Sequence, residues 1–314
     1  MKRILITGGA GNIGSSLASR LSANPDYQIV IVDNLLTGNL NKLPKNRDNV
    51  IFINADVNDF RDISSVMLSF NFDFVFHYAA VVGVARTLKN PKMVLDDIEG
   101  IKNILNLSKN TNVKKVFYSS SSEVYGEPVE IPQFEDTTPL NSRLPYAIVK
   151  NIGEAFIKSY QQEFGLDYTI FRFFNTYGPN QSTDFVIAKY INLAIHNKEI
   201  SIYGDGSQTR TFCYFDDNLD TTERILNENL LNNQILNIGS DIEISILELA
   251  KKIIHLLNSK SKIIFLPPLK EGDMTRRKPD IEKMMKVLKR DLIDLDSGNM
   301  LTSKFWQKRN KILE

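Results

Sequence analysis

Apolar runs and amphipathic segments alternate regularly in the first part of this chain. Up to about residue 120, short apolar runs (RILITG, QIVIVD, VIFINAD, DFVFHYAA, KKVFYSS) alternate with amphipathic stretches, the first from Asn12 to Ala23. The runs lack strict polar alternation, which is typical of strands buried on both faces of a sheet. Because crossovers between parallel strands need covering helices, this order predicts an α/β fold with a Rossmann-type doubly wound parallel sheet.

The regular alternation of predicted strands and helices ends in the second half of the chain. YAIVKNIGEAFIKSYQQEFG predicts a helix that ends near Gly165, and DYTIFRFFNTYG predicts a strand that leads into a loop. Beyond residue 178, FVIAKYINLAI and SILELAKKIIHLL predict helices, and ISIYGDGSQTRTFCY predicts a strand and a turn. We therefore expect a sheet domain over residues 1–178 and a smaller C-terminal α/β lobe over residues 179–314, with segments that cross back to the sheet domain.

Composition excludes several classes of partner and site. The 38 basic and 37 acidic residues nearly cancel, so neither a nucleic acid nor a membrane surface is expected as a partner. Cys213 is the single cysteine, which rules out an internal disulfide and fits a reducing cytoplasm. His77, His196 and His255 lack metal-ligand spacing, so we expect no metal. The apolar runs are shorter than a membrane span and no signal peptide precedes them, which predicts a cytoplasmic protein.

A glycine-rich turn is the strongest local signal in the sequence. Gly8, Gly11 and Gly14 follow the first predicted strand and open the first predicted helix. Such a turn lets the backbone approach a pyrophosphate at a helix N-terminus. Asp33 ends the next strand, 19 residues after Gly14, where a carboxylate can bind both ribose hydroxyls and repel a 2′-phosphate. The pattern favours NAD over NADP as the ligand. The plainer interpretation is that the glycines form a structural bend and that Asp33 is a turn-forming residue.

A second group of residues carries candidate chemistry. Tyr146 and Lys150 are one helical turn apart on one face, and the ammonium can lower the pKa of the phenol toward that of a working base. Ser121 ends the predicted strand KKVFYSS, at the sheet edge where ligands of open α/β sheets bind. A serine hydroxyl there can hold a substrate oxygen beside the tyrosine.

The motifs together resemble a known family. GxxGxxG, the strand-end Asp33, HYAA, SSSSEVYG, YAIVK, RFFNTYGP, YGDGSQTRTFCYFDD and RRKPD follow in the order found in the extended short-chain dehydrogenases that epimerise, dehydrate or oxidise nucleotide sugars. The resemblance covers nearly the whole chain. It implies that Ser121 fixes the sugar oxygen, Tyr146 is the base and Lys150 holds the nicotinamide ribose.

The resemblance also implies binding residues. The implied cofactor contacts are Gly8, Gly11, Asn12, Ile13, Gly14, Asp33, Asn34, Asp56, Val57, Ala79, Ala80, Lys150 and Phe173. A turn-forming role explains Asp56 nearly as well. Asn175, Arg210 and Arg277 match residues that hold the substrate diphosphate, for which arginine forks are suited.

Two positions depart from the family pattern. Asp97 stands in DDIEG where many relatives have Asn, which bears on the local proton network. Ser122 replaces an acid that some dehydratases carry, between Ser121 and Glu123. Since other dehydratases and a decarboxylase of the family have Ser at this place, Glu123 keeps three interpretations: a carbon-5 base, a hydrogen-bond acceptor for substrate, or the partner of a buried neighbour.

The resemblance implies NAD-dependent oxidation at carbon 4 of a nucleotide sugar. Whole-chain likeness points to the GDP-heptose 4-dehydrogenases of bacterial capsule synthesis. A 4-epimerase is the alternative, followed by a 4,6-dehydratase or decarboxylase, and a non-catalytic dinucleotide-binding protein is the alternative from another class. The helices near Asp97 and Tyr146 form the subunit contact in many relatives, which predicts a homodimer.

Overall fold

The computed structural model describes residues 1–268 and 275–313, which form two compact units. The first unit comprises Met1–Val124, Ser142–Arg172 and Thr221–Leu236; the second comprises Tyr125–Asn141, Phe173–Asp220 and Asn237–Glu314. Each unit is assembled from separate segments of the chain. A domain boundary at residue 178 stays a prediction.

Strands and helices alternate along most of the chain. The strands are β1 (Lys2–Thr7), β2 (Tyr27–Asp33), β3 (Val50–Asn54), β4 (Phe74–His77), β5 (Lys115–Ser121), β6 (Asp167–Phe173), β7 (Thr176–Tyr177), β8 (Ile200–Tyr203), β9 (Thr209–Thr211), β10 (Cys213–Tyr214), β11 (Gln234–Ile238), β12 (Glu243–Ser245) and β13 (Ile263–Leu266). The helices are α1 (Asn12–Leu21), α2 (Phe60–Phe70), α3 (Val84–Lys89), α4 (Pro91–Asn110), α5 (Pro145–Phe164), α6 (Val186–Ile195), α7 (Phe215–Asn227), α8 (Ile246–Leu256), α9 (Glu282–Leu288) and α10 (Leu295–Leu313).

A seven-stranded sheet with the order β11-β6-β5-β4-β1-β2-β3 forms the centre of the first unit. β1 pairs in parallel with both β2 and β4, and β4 pairs in parallel with β5. The central residues Ile4, Leu5 and Ile6 have no exposed surface, as the lack of polar alternation in β1 predicts. The doubly wound α/β fold is therefore confirmed. Since strand order reverses at β1, the carboxyl ends of β1 and β4 border the crevice in which such sheets bind ligands.

The second unit is built from short two-stranded pairings and helices. β7 pairs with β10, β8 with β13, and β9 with β12. The core of this unit includes Ile187 and Ile191 of α6 together with Leu249 and Ile253 of α8. α8 begins with a capping box, in which Ser245 and Glu248 satisfy each other's backbone amides. The amphipathic pattern of both helices is thus explained by one shared apolar core.

α5 is fixed to the sheet of the first unit by a buried ion pair. The Arg172 guanidinium on β6 donates to both Glu154 carboxylate oxygens, at 2.9 Å from Nε and 2.7 Å from Nη2. The Ser120 hydroxyl on β5 donates to the same carboxylate at 2.5 Å. The two side chains of the ion pair are 1% and 2% exposed, so the pair has little access to water.

None of the helices in the described ranges is long and apolar enough to cross a membrane.

Breaking this pair should cost more stability than losing an exposed pair of the same kind. Glu154→Gln leaves the Arg172 charge buried without its counter-charge, which we expect to lower the free energy of unfolding by about 3–5 kcal/mol. Denaturant unfolding measures the loss. The matched control is Glu99→Gln, which removes an exposed partner of Lys102 on α4 and should change stability little. Equal effects of the two changes would contradict the assigned role of the buried pair.

Candidate active site

The glycine-rich turn lies between β1 and α1 and packs against the end of β4. Gly8 has φ +66°, and a Cβ added there would lie 2.6 Å from the Ala79 backbone nitrogen. A Cβ added at Gly14 would lie 2.5 Å from the Gly8 carbonyl oxygen. A Cβ added at Gly11 would lie 3.0 Å from the same oxygen and would have no other near neighbour within 4 Å. Gly11 precedes Asn12, the first residue of α1, and offers no side-chain cap. The turn therefore brings backbone close together on one side and leaves the helix N-terminus open for an anion.

Asp33 lies at the end of β2 beside this turn. Its Oδ2 accepts the Ala10 amide at 3.0 Å and its Oδ1 accepts the Leu35 amide at 2.8 Å. Gly38 is so close that an added Cβ would lie 2.5 Å from the Asp33 Oδ1. The carboxylate is thus held by two backbone donors next to the turn, and lone pairs remain on it for ribose hydroxyls.

Other predicted cofactor residues lie along the same edge of the sheet. Asn34 donates to the Asp56 Oδ2 at 3.0 Å, and the Asp56 Oδ1 accepts the Asn58 amide at 2.8 Å. Val57 is buried, while Ala80 after β4 is half-buried. The structure therefore brings Asn34 and Asp56 together, which their separation in sequence does not reveal.

The end of β4 is fixed by a buried histidine. His77 is 3% exposed, and its Nδ1 lies 2.9 Å from the Thr7 hydroxyl of β1. The same hydroxyl accepts the Ala79 amide at 3.3 Å. Burial lowers the pKa of His77 to about 3, and the Lys150 charge acts in the same direction. A neutral imidazole therefore aligns the ends of β1 and β4.

Ser121 and Lys150 lie in the interior of the first unit. The Ser121 hydroxyl oxygen accepts the Glu123 amide at 3.2 Å, which leaves its O–H available to donate. Lys150 is 3% exposed and donates to the Ser119 hydroxyl at 3.4 Å. Its ammonium lies 5.8 Å from the ring centre of Tyr146, on the same helix. Burial lowers the pKa of Lys150 to about 8, whereas the charge of Asp97 raises it.

Sequence reasoning missed the residues that surround this ammonium. The ring of Tyr118 lies 5.0 Å from the Lys150 nitrogen and stacks at 6.0 Å on the His77 ring. Gly153 makes room for the Tyr118 hydroxyl, which an added Cβ would strike. Glu154 lies one further turn along the same face of α5 as Tyr146 and Lys150. Its spacing of four residues from Lys150 could have singled it out in the sequence. Nothing in the serine run singles out Ser119 as the residue that binds the lysine.

The predicted diphosphate residues belong to the second unit. Asn175, with φ +41°, donates through Nδ2 to the Thr211 carbonyl at 2.9 Å, which brings it next to Arg210. Arg210 is 8% exposed and Arg277 5% exposed, so both are more buried than ordinary surface arginines. Phe173 ends β6 and also belongs to this unit.

Comparison with known proteins identifies the relatives of this fold and site. The model of the NAD dependent epimerase/dehydratase family matches residues 4–239. The chain belongs to this family. It is 36% identical to a UDP-N-acetyl-alpha-D-glucosaminuronate decarboxylase of Bacillus cytotoxicus, over 90% of both chains.

Solved structures are similar to nearly the whole chain. A UDP-glucose 4-epimerase from Thermotoga maritima, solved with UDP-glucose, is 29% identical with a TM-score of 0.92, covering 98% of this chain and 99% of that one. A UDP-glucose 4-epimerase from Thermus thermophilus, solved with NAD, is 26% identical with a TM-score of 0.90, covering 97% and 99%. The predicted cofactor, NAD, is confirmed by the family and by these neighbours.

We expect the glycine turn to bind the pyrophosphate of NAD. Gly8→Ala adds left-handed strain and a collision with the Ala79 backbone, so we expect loss of measurable NAD binding and a lower melting temperature. Isothermal titration calorimetry measures the binding. The control is Gly165→Ala, where φ is +71° and no atom lies within 4 Å of the added Cβ. It should cost about 1 kcal/mol of stability and leave NAD binding unchanged. Unchanged NAD affinity in Gly8→Ala would contradict the assignment of the turn.

Proposed function

We propose that the protein is a UDP-sugar 4-epimerase that works by reversible oxidation at carbon 4. The observation that carries the proposal is the buried Lys150 ammonium beside the Tyr146 ring, in the same unit as Ser121 at the end of β5. A charge buried at this point stabilises a phenolate on Tyr146, which is what a tyrosine base at neutral pH requires.

The residues of the first unit have separate roles in this proposal. Ser121 donates its hydroxyl hydrogen to the oxygen on carbon 4 and holds the sugar for proton transfer. Tyr146 takes the proton of the carbon-4 hydroxyl and later returns one, while Lys150 stabilises its phenolate. When bound, NAD supplies reversible hydride transfer at carbon 4. In the second unit, we assign Asn175, Arg210 and Arg277 to the substrate diphosphate, for which arginine forks are suited.

The relatives favour a redox-neutral reaction over net oxidation of GDP-heptose. Those reported above are UDP-sugar epimerases and a UDP-sugar decarboxylase by name. Decarboxylation is the second candidate, because the identity to the decarboxylase is 36% and Glu123 lies two residues after Ser121. Dehydration ranks third, since Ser122 replaces the acid that some dehydratases carry there. All three reactions can begin with the same oxidation at carbon 4.

Product analysis separates the candidates. The protein is incubated with UDP-glucose, UDP-N-acetylglucosamine, UDP-glucuronate and a GDP-heptose, and products are followed by mass spectrometry and proton NMR. We expect a product of unchanged mass with inverted carbon 4 from a UDP-sugar. Loss of carbon dioxide would indicate the decarboxylase, loss of water the dehydratase, and loss of two hydrogens the dehydrogenase. NAD binding without any turnover would support the non-catalytic alternative and overturn the proposal.

A tyrosine variant tests the assigned base. Tyr146→Phe should lower kcat by about 10²–10⁴-fold because the proton acceptor is lost, while NAD binding persists. The matched control is Tyr160→Phe on the same helix, whose side chain packs against the apolar core of the first unit. Near-full turnover in Tyr146→Phe would refute the mechanism.

We also propose that the protein forms a homodimer through α4 and α5. Four apolar side chains on these two helices are about two-fifths to one-half exposed: Met93, Leu95, Ile148 and Phe164. Exposed apolar residues shared by two adjacent helices are typical of a helix-to-helix subunit contact.

Light scattering tests this oligomeric state. We expect a mass of twice 35.7 kDa for the protein and the single-chain mass for Ile148→Glu, because a charge is costly in an apolar interface. Leu68→Glu on α2 is the control, because Leu68 is more exposed than Ile148 but lies outside the two helices. A single-chain mass for the unmodified protein would exclude the dimer.

A further inference from the structure

The residues that we assign to the substrate diphosphate come from three separate segments of the second unit. Asn175 lies between β6 and β7, Arg210 is the middle residue of β9, and Arg277 precedes α9. Hydrogen bonds weaken steeply when distance or angle departs from the optimum, so one ligand can be bound from three segments only if their spacing is fixed. The second unit must therefore hold residues 275–278, which we call the arginine segment, against β9.

Glu243, the first residue of β12, binds both β9 and the arginine segment. Its Oε1 accepts the Thr209 hydroxyl at 3.0 Å. Its two carboxylate oxygens accept Nε and Nη2 of Arg276, each at 2.6 Å. Such a two-pronged contact fixes orientation as well as distance. The hydrogen bond from Arg276 lowers the pKa of Glu243, so the carboxylate is charged at neutral pH.

Further hydrogen bonds hold the arginine segment on both sides of Arg277. On one side, Glu127 accepts the Thr275 amide at 3.1 Å and the Thr275 hydroxyl at 2.9 Å. On the other side, the Gln133 amide donates to the Lys278 carbonyl at 2.8 Å. The backbone that carries Arg277 is thus held at both ends.

The other two diphosphate residues are attached to β9 itself. The Arg210 Nη1 donates to the Thr209 carbonyl at 2.8 Å, and the Asn175 Nδ2 donates to the Thr211 carbonyl at 2.9 Å. Thr209 is also the residue whose hydroxyl binds Glu243. The acid therefore contacts the strand that supports two of the diphosphate residues and the segment that supplies the third.

We propose that Glu243 is a positioning residue for diphosphate binding, which holds Arg277 at a fixed place beside β9 through its contact with Arg276. Arg276 serves the structure of the segment, and Arg277 serves the ligand. The inference rests on the proposed function, which assigns Arg277 to the diphosphate together with Asn175 and Arg210.

UDP binding distinguishes positioning from a simple effect of charge. Glu243→Gln removes a negative charge and releases Arg276, so charge alone would make the diphosphate bind more tightly. Loss of positioning acts in the opposite direction, and we expect UDP to bind about tenfold more weakly. Isothermal titration calorimetry on the full-length protein saturated with NAD measures the Kd. Unchanged or tighter binding of UDP would overturn the proposal.

Uridine, which lacks the diphosphate, reports whether the rest of the ligand site is intact. Its affinity, measured by ligand-observed NMR, should be unchanged in Glu243→Gln. An equal loss of affinity for uridine and UDP would indicate general damage to the fold and would overturn the proposal. The matched control is Asp296→Asn, which removes an exposed partner of Lys252 in the same unit and should leave the Kd of UDP unchanged.

Arg276→Lys tests the same contact from the other side without a change of net charge. A lysine cannot form the two-pronged contact with a carboxylate, so UDP should bind about as weakly as in Glu243→Gln. Because both changes break one contact, the double variant should lose no more affinity than either single variant. Additive losses would show that the two residues act separately and would overturn the proposal.

Arg277→Gln separates this inference from the proposed function. If Arg277→Gln weakens UDP binding while Glu243→Gln and Arg276→Lys do not, only the positioning role is refuted. If Arg277→Gln leaves UDP binding unchanged, the diphosphate assignment is refuted and the positioning role with it. The same variants are compared with inorganic pyrophosphate, for which the nucleotide base is irrelevant. Failure of UDP to bind, with the expected losses for pyrophosphate, would refute the UDP-sugar assignment alone.

Discussion

The ion pair between Glu154 and Arg172 is the interaction on which the geometry of the proposed active site depends. It joins α5 to β6 in a region almost closed to water, and Ser120 of β5 binds the same carboxylate. A buried charge without its partner would be costly, so the helix has one favourable position against the sheet. Lys150 and Tyr146 lie on the same face of α5, one and two turns before Glu154. The ion pair therefore orients the two residues that we propose to carry the chemistry.

A second constraint is the close packing where β1 and β4 end. Gly8 is so near the Ala79 backbone that no side chain fits, and Thr7 binds both His77 and the Ala79 amide. These contacts join the glycine turn to the end of β4. Since strand order reverses between β1 and β4, this is also where the sheet offers a crevice. The predicted cofactor turn and the proposed catalytic residues thus belong to the same unit.

Charge is handled in two ways in the first unit. Arg172 pairs with Glu154, and burial keeps His77 neutral. The Lys150 ammonium instead has the Ser119 hydroxyl and the rings of Tyr118 and Tyr146 around it. Electrostatic interactions are stronger in a poorly solvated site than at the surface, so this charge acts strongly on its neighbours.

The sequence by itself determined the doubly wound sheet, the glycine turn with Asp33 and NAD as cofactor, because these depend on local patterns of apolar, glycine and acidic positions. The resemblance to the family rests on short motifs such as YAIVK, in which Tyr146 and Lys150 are only one helical turn apart. Only the tertiary structure showed that Ser119 binds Lys150, that Asn34 meets Asp56, and that Arg172 neutralises Glu154. Such pairings join elements far apart along the chain, and no periodicity encodes them. Whether a buried acid such as Glu154 is paired with a cation depends on what packs around it.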